Sequence, residues 1–249
     1  MQRYSPPRAV LRVGWRFPAL FCWMVLGLTW ALTGLRFLGP KGRSWSIRTF
    51  ARGLLTVCGV RLIADGPADI PAPALLVGNH VSWLDIFVVH ALEPVTFIAK
   101  SEIRSWPVIG TLVSASGTLF IERGNRAAMP QVIAQAQGRF HQNERVMFFP
   151  EGTTSDGRSL LKFHSSLFVL AERAPDLPVV PVSIRYSSDR TAYIGDMTLL
   201  GSMLMILSGP TVEVRLQIQP PLALDERKRQ SLAEAARISI GRGLEVLRN

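Results

Sequence analysis

Cysteine is scarce in this chain of 249 residues: Cys22 and Cys58 stand far apart in apolar stretches, and no C-x-x-C pair occurs. That argues against a disulfide framework, a zinc ribbon and a thioredoxin-type site. His80, His90, His141 and His164 have no ligand-like spacing, so no metal centre is expected. The sequence also lacks a G-x-S-x-G elbow, a G-x-G-x-x-G turn and a Walker A motif, which removes the serine hydrolase, dinucleotide enzyme and P-loop ATPase readings. Charged residues make up 18% and apolar residues 48%, too apolar for a disordered tail protein and sufficient for one sizeable α/β domain with an appendage. Acidic residues are absent from residues 1–64, which carry ten basic ones, so the net charge of +10 belongs to that segment and the remainder is neutral.

Within the basic segment, residues 17–35 (FPALFCWMVLGLTWALTGL) are uncharged. As a helix rising about 1.5 Å per residue they measure roughly 28 Å, close to the roughly 30 Å hydrocarbon thickness of a bilayer. Trp15, Trp23, Trp30 and Trp45 fall within residues 15–45, and indoles favour the membrane interface. Arginines flank both ends, where they can meet anionic head groups. Basic flanks on both sides disfavour a simple span, because the positive-inside bias prefers one. A helical hairpin in one leaflet, with residues 44–59 as the amphipathic partner, keeps both flanks on one side. A single span, a cleaved signal peptide and a buried core helix are the alternatives. The tryptophan-rich apolar core between the charges suits lipid, and no nucleic-acid partner is expected. The division this implies is residues 1–59 as a membrane-anchoring helical segment and 60–249 as an α/β domain, with a linker in the proline-rich stretch near 58–73.

From residue 60 short runs rich in Val, Ile and Phe read as strands: 60–64, 74–79, 95–100, 117–122, 145–149, 179–186 and 212–218. Helices are expected over 82–92, 126–142, 160–173 and about 225–247. Such alternation implies a mostly parallel mixed sheet of about seven strands covered by helices, with ligands gathering beyond the carboxyl ends of the strands. Residues 199–207 (LLGSMLMIL) either line an acyl-chain channel, touch lipid, or form an ordinary core helix.

Four strand ends carry chemistry. After ALLVG come Asn79, His80 and, five residues on, Asp85. With His80 in the turn and Asp85 in the first turn of the following helix, the carboxylate reaches back to the imidazole, fixing its tautomer and raising its basicity. Lys100 ends the third strand and suits a phosphate as a point charge. Arg123 follows the fourth and offers a planar fork, or a salt bridge to Glu122. Glu151, in Pro150-Glu151-Gly152-Thr153, ends the fifth.

These blocks resemble those of the glycerolipid acyltransferases. Asn79–Asp85 is similar to their N-H-x-x-x-x-D block, Gly117–Gly124 to the second, Phe149–Thr153 (FPEGT) to the third and Val179–Ser183 (VVPVS) to the fourth. Order and separations match the 1-acylglycerol-3-phosphate acyltransferases over about residues 60–220. The resemblance implies a glycerolipid-acyltransferase-like α/β fold with an N-terminal membrane-associated helical hairpin, and direct acyl transfer from a thioester to a lipid hydroxyl. His80 would be the base, Asp85 its orienting partner, and Arg123, Glu151 and Gly152 would bind the acceptor; Lys100 and Thr153 complete the expected substrate-binding set. The block around Pro181 would pack behind the site. Backbone N–H groups where the 80–85 helix begins are oxyanion-donor candidates. No cofactor is expected; acyl-CoA or acyl carrier protein would be the co-substrate, and the bilayer and a lysolipid the partners. The location implied is the cytoplasmic face of a bacterial inner membrane.

One departure bears on the acceptor. The third block commonly continues with an arginine, and here that position is Thr154. The simplest acceptor is 1-acylglycerol-3-phosphate, giving phosphatidic acid. The run FPEGTTSDG followed by FHSSLF also resembles bacterial relatives that include lyso-ornithine-lipid acyltransferases, in which case the acceptor is an aminolipid. Arg158 or Lys162 could replace the missing charge. A noncatalytic lipid-binding or scaffold protein is the remaining reading; it has no need of the His80/Asp85 pair.

Overall fold

The apolar runs become seven strands among the described residues: β1 Val60–Asp65, β2 Ala74–Gly78, β3 Thr96–Lys100, β4 Leu119–Ile121, β5 Arg145–Phe148, β6 Val179–Tyr186 and β7 Val212–Ile218. The computed structural model describes residues 6–66, 70–122, 126–223 and 228–248. The strands form one sheet in the order β1-β7-β6-β2-β5-β3-β4. Every neighbouring pair is parallel except β6 and β7. The expected mixed, mostly parallel sheet is therefore present. All five residues of central β2 are buried, as its unbroken apolar sequence requires, whereas β7 alternates buried Val212, Val214, Leu216 and Ile218 with half-exposed polar residues.

The helices are α1 Pro6–Thr33, α2 Pro40–Cys58, α3 Asp85–Leu92, α4 Ile109–Ala115, α5 Met129–His141, α6 Val169–Glu172, α7 Leu199–Ser208 and α8 Arg229–Val246. Two apolar clusters cover the two faces of the sheet. One joins Leu76, Val182 and Leu216 to Leu54, Leu55, Val88 and Leu207; the other joins Leu75, Val77 and Phe148 to Ile133, Leu170 and Ile240. The helix expected over 160–173 is reduced to a 3-10 turn at Ser166–Phe168 and the single turn of α6. The preceding residues are held otherwise: His164 N–H donates to the Pro150 carbonyl and Leu161 N–H to Glu151. Helix α7 divides the readings of residues 199–207, burying Ser202, Ile206 and Leu207 while leaving Leu200, Leu204 and Met205 exposed.

Helices α1 and α2 pack as a pair. The Trp23 indole donates to the Phe50 carbonyl at 3.0 Å and stacks on the Phe50 ring at 6.2 Å, and Trp30 donates to the Ser46 hydroxyl at 3.3 Å. Gly27 lies under Phe50 and Gly53 under Trp23, where any Cβ would collide with the ring. Among the described residues one helix, over Pro7–Thr33, is long and apolar enough to cross a membrane, with mean hydropathy 1.4. Its outer face exposes Val10, Leu11, Trp15, Phe21, Leu26 and Leu32.

Several basic residues of the N-terminal segment turn inward rather than to head groups. Arg16 is buried, and its Nη1 donates to the carbonyls of Leu207 at 3.3 Å and Gly209 at 2.9 Å. A cation there satisfies carbonyls left over at the end of α7. The guanidinium occupies the space a Cβ on Gly59 would need; Gly59 itself, at φ +70°, closes α2 in the left-handed conformation. Arg52 donates to the Ala91 carbonyl at 2.8 Å, and Glu93 pairs with Arg48 at 2.9 Å and Arg145 at 3.2 Å.

His90, in the last turn of α3, is buried, and burial pushes its pKa down to about 4 from 6.5. Below pH 6.5 the unfolded chain takes up a proton that the folded chain refuses until about pH 4. Stability should therefore fall with acidification across that window, by about 3 kcal/mol in all, and His90→Leu should remove this part of the slope. Chemical denaturation in detergent at stepped pH measures both.

Candidate active site

The parallel block places the carboxyl ends of β6, β2 and β5 side by side at one rim. Beyond β2, Asn79 continues the ladder with its side chain: Oδ1 accepts from Ile184 N–H at 2.8 Å and Nδ2 donates to the Ile184 carbonyl at 2.9 Å. His80 follows, then a turn in which Ser82 Oγ accepts from Leu84 N–H at 3.3 Å, and α3 opens at Asp85.

Asp85 is fully buried and gathers four donors. Its Oδ2 accepts from His80 Nδ1 at 2.8 Å, Val81 N–H at 2.7 Å and Ser82 N–H at 3.0 Å; Oδ1 accepts from Tyr186 O–H at 2.7 Å. A carboxylate in that setting is an acceptor only, so the imidazole carries its proton on Nδ1 and presents the Nε2 lone pair. Burial, and then the neighbouring Asp85 charge, push the Tyr186 phenol well above its usual range, so it remains a donor. The Val81 and Ser82 amides, which the sequence suggested as oxyanion donors, are engaged by Asp85.

His80 is held by its backbone, by Nδ1 and on one face of its ring. Its N–H donates to Glu151 Oε1 at 2.8 Å, and its carbonyl accepts from Ser155 N–H at 2.8 Å. The ring stacks on Phe149 with centroids 4.1 Å apart and planes 5° from parallel, leaving the side chain 21% exposed. A fixed imidazole with one nitrogen oriented and the other accessible can abstract a proton from a bound hydroxyl.

Glu151 is buried between β2 and the loop after β5, its second oxygen accepting from Leu161 N–H at 3.0 Å. Burial raises its pKa, against the pull of the two N–H groups. Both its oxygens thus hold backbone, and the placement is that of a positioning residue for His80. Gly152 adopts φ +66°, the left-handed turn that lets the chain fold back, and Thr153 is exposed. Lys100 sits half-buried at the end of β3, in register with Ile121 of β4. Arg123 lies outside the described residues. Thr154 donates its hydroxyl to the Tyr193 carbonyl. Arg158 pairs with Asp189 at 2.5 Å on the exposed surface. Among the described residues no group of three or more His, Cys, Asp or Glu side chains could hold a metal.

Sequence reasoning missed Tyr186, Phe149 and the Asn79 clamp. The available signal was a tyrosine at the carboxyl end of a strand, which gains meaning only once β6 is known to lie beside β2. Tyr186→Phe would leave Oδ1 of Asp85 buried without its donor, at a cost of about 1–3 kcal/mol. It should lower both the denaturation midpoint and kcat, the latter about tenfold; an unaltered kcat would mean the hydroxyl only fills space.

Comparison with known proteins places this site in a family. The acyltransferase family model matches residues 61–185, which include both His80 and Asp85. A lyso-ornithine lipid O-acyltransferase of Pseudomonas aeruginosa is 37% identical over 188 residues, covering 73% of this chain and 70% of its own. A 1-acyl-sn-glycerol-3-phosphate acyltransferase of Neisseria gonorrhoeae is 38% identical over 148 residues, 59% of this chain and 58% of its own. The crystal structure of the 1-acyl-sn-glycerophosphate acyltransferase PlsC from Thermotoga maritima shares the fold, with a TM-score of 0.69, 21% identity and coverage of 97% and 96%. By its family match and by the extent of its likeness to the Pseudomonas enzyme, the chain belongs to the acyltransferase family.

Proposed function

We propose that the protein transfers a fatty acyl group from a thioester to the free hydroxyl of a lysolipid, with His80 as general base. The observation that carries this is the imidazole held at Nδ1 by a buried carboxylate, with its other nitrogen accessible. As the hydroxyl oxygen attacks the thioester carbonyl, Nε2 takes its proton. Collapse of the tetrahedral intermediate breaks the C–S bond, and the imidazolium returns the proton to the leaving thiolate. Asp85 stabilises the imidazolium between these steps. Acyl-CoA or acyl carrier protein supplies the thioester.

The acceptor we favour is a phosphate-free lyso-aminolipid of the ornithine type, reversing the order that the motifs alone suggested. Thr154 replaces the expected cation and binds a carbonyl, and Arg158 pairs with Asp189 on the exposed surface. A second reading, 1-acylglycerol-3-phosphate, rests on Lys100, the last residue of β3, and Arg123, which follows β4 in sequence. The full chain in detergent, given an acyl-CoA and each acceptor in parallel, should esterify the aminolipid several-fold faster. Preference for the phosphate lipid would restore the first order, and no ester from either acceptor with both acyl-CoA and acyl carrier protein thioesters would end the transferase reading.

We further infer that the protein lies in one leaflet, on the cytoplasmic face of a bacterial inner membrane where acyl thioesters are supplied. The exposed apolar face of α1 supports lipid contact. Its attachment to α7 by Arg16 and to α2 by Trp23 supports an in-plane arrangement over a span.

A further inference from the structure

Between α1, α2, α3 and α4 lies a cavity of about 80 Å³, walled by Met24, Phe50, Ile86, Phe87, Leu112 and Val113. Ile86, Phe87 and His90 on its wall belong to α3, the helix that opens at Asp85. This lining excludes charged ligands and suits hydrocarbon. One group on the wall does not fit hydrocarbon. His90 is 4% exposed, and neither Nδ1 nor Nε2 has a hydrogen-bond partner among the described residues. Its ring neighbour Phe97 stands edge-on at 5.1 Å and offers no lone pair. Serines on the same wall are already bonded: Ser46 accepts from Trp30, and Ser116 donates to the Val113 carbonyl.

A buried imidazole without partners is costly to retain, and a plain methylene chain against it would leave both nitrogens unpaired. We propose that His90 is a specificity-determining residue that pairs with a hydroxyl on the fatty chain of the donor, so that the protein prefers oxygenated acyl groups. A neutral imidazole offers one N–H donor and one lone pair, and a chain hydroxyl matches either. Three ring contacts, His80 to Phe149, Phe149 to Phe97 and Phe97 to His90, separate this position from the base. The hydroxyl it reads is therefore in the middle or far part of the chain, away from the thioester. This inference rests on the acyl-transfer reading above.

The test is competition on the full chain in detergent, with the lyso-aminolipid as acceptor. Hexadecanoyl-CoA is paired with hexadecanoyl-CoA bearing one hydroxyl beside the thioester, in mid-chain or at the far end. The expected result is a preference of about tenfold in kcat/KM for a mid-chain or far-end hydroxyl, the size of one well-made hydrogen bond in a dry pocket. His90→Leu should invert the ratio, with the plain chain transferred faster and the hydroxylated chain slower. His90→Asn, still polar, should recover part of the preference. A role in folding alone would change all donors together. Equal rates for every donor, or an unchanged ratio in His90→Leu, would overturn the inference while leaving acyl transfer standing. Absence of transfer from every donor, as CoA and as acyl carrier protein thioester and to either acceptor, would remove both.

Discussion

Alanine in place of His80 is expected to lower kcat for acyl transfer by about 10³-fold or more, with the fold intact. Removing a positioned general base commonly costs about 10²–10⁴-fold. The upper part of that range is expected here, since the ring is held on one face by Phe149 and at Nδ1 by Asp85. The substitution is clean because the backbone around it does not depend on the ring. Glu151 still accepts the His80 amide and Ser155 still donates to the carbonyl. Asp85 Oδ2 still keeps the Val81 and Ser82 amides. Steady-state kinetics beside a denaturation curve separates chemistry from stability. Activity within tenfold of the parent would mean another group takes the proton.

Asp85→Asn should lower kcat by about 10²–10³-fold while leaving the acceptor KM nearly as it was. Three donors converge on Oδ2, so an asparagine must place its carbonyl there, and its NH₂ then faces Tyr186. The tyrosine hydroxyl can turn and accept. The three hydrogen bonds at Oδ2 and the Nδ1–H tautomer survive, the Tyr186 contact reverses direction, and the negative charge is lost. Because the charge works in a buried, low-dielectric position, its loss falls on the step in which the imidazolium forms. Asp85→Ala is a poorer probe, since it strands buried donors at about 1–3 kcal/mol each and disturbs the turn itself. If the asparagine form kept more than about half the parent kcat, orientation rather than charge would be the contribution of Asp85.

The sheet was legible in the sequence because its strands are short apolar runs, each closed by a turn. The His80–Asp85 contact was legible too, being local: one strand end, one turn and one helix start decide it. Tyr186 was not, since its approach to Asp85 depends on β6 lying next to β2 across 101 residues of chain. Glu151 was visible as a carboxylate at a strand end, but not as one whose two oxygens hold main-chain amides. Charge counting located the basic N-terminal segment without showing its partners. Arg16, Arg48 and Arg52 bind carbonyls and a carboxylate of the α/β domain, which composition alone cannot distinguish from head-group binding.

The Arg16 clamp also fixes a height. Its guanidinium fills the hollow that only a glycine at 59 leaves open, and it bolts α1, with its exposed apolar face, to the end of α7. Trp83, two residues before Asp85, donates to Ser202 on that same helix at 3.1 Å. In the in-plane arrangement proposed above, the bilayer surface would serve as a datum plane, with the reactive nitrogen at a constant altitude above it. A lysolipid would then be selected by how far its hydroxyl rises out of the leaflet, because an anchor clamped at Arg16 does not tilt to meet one that lies too deep or too high.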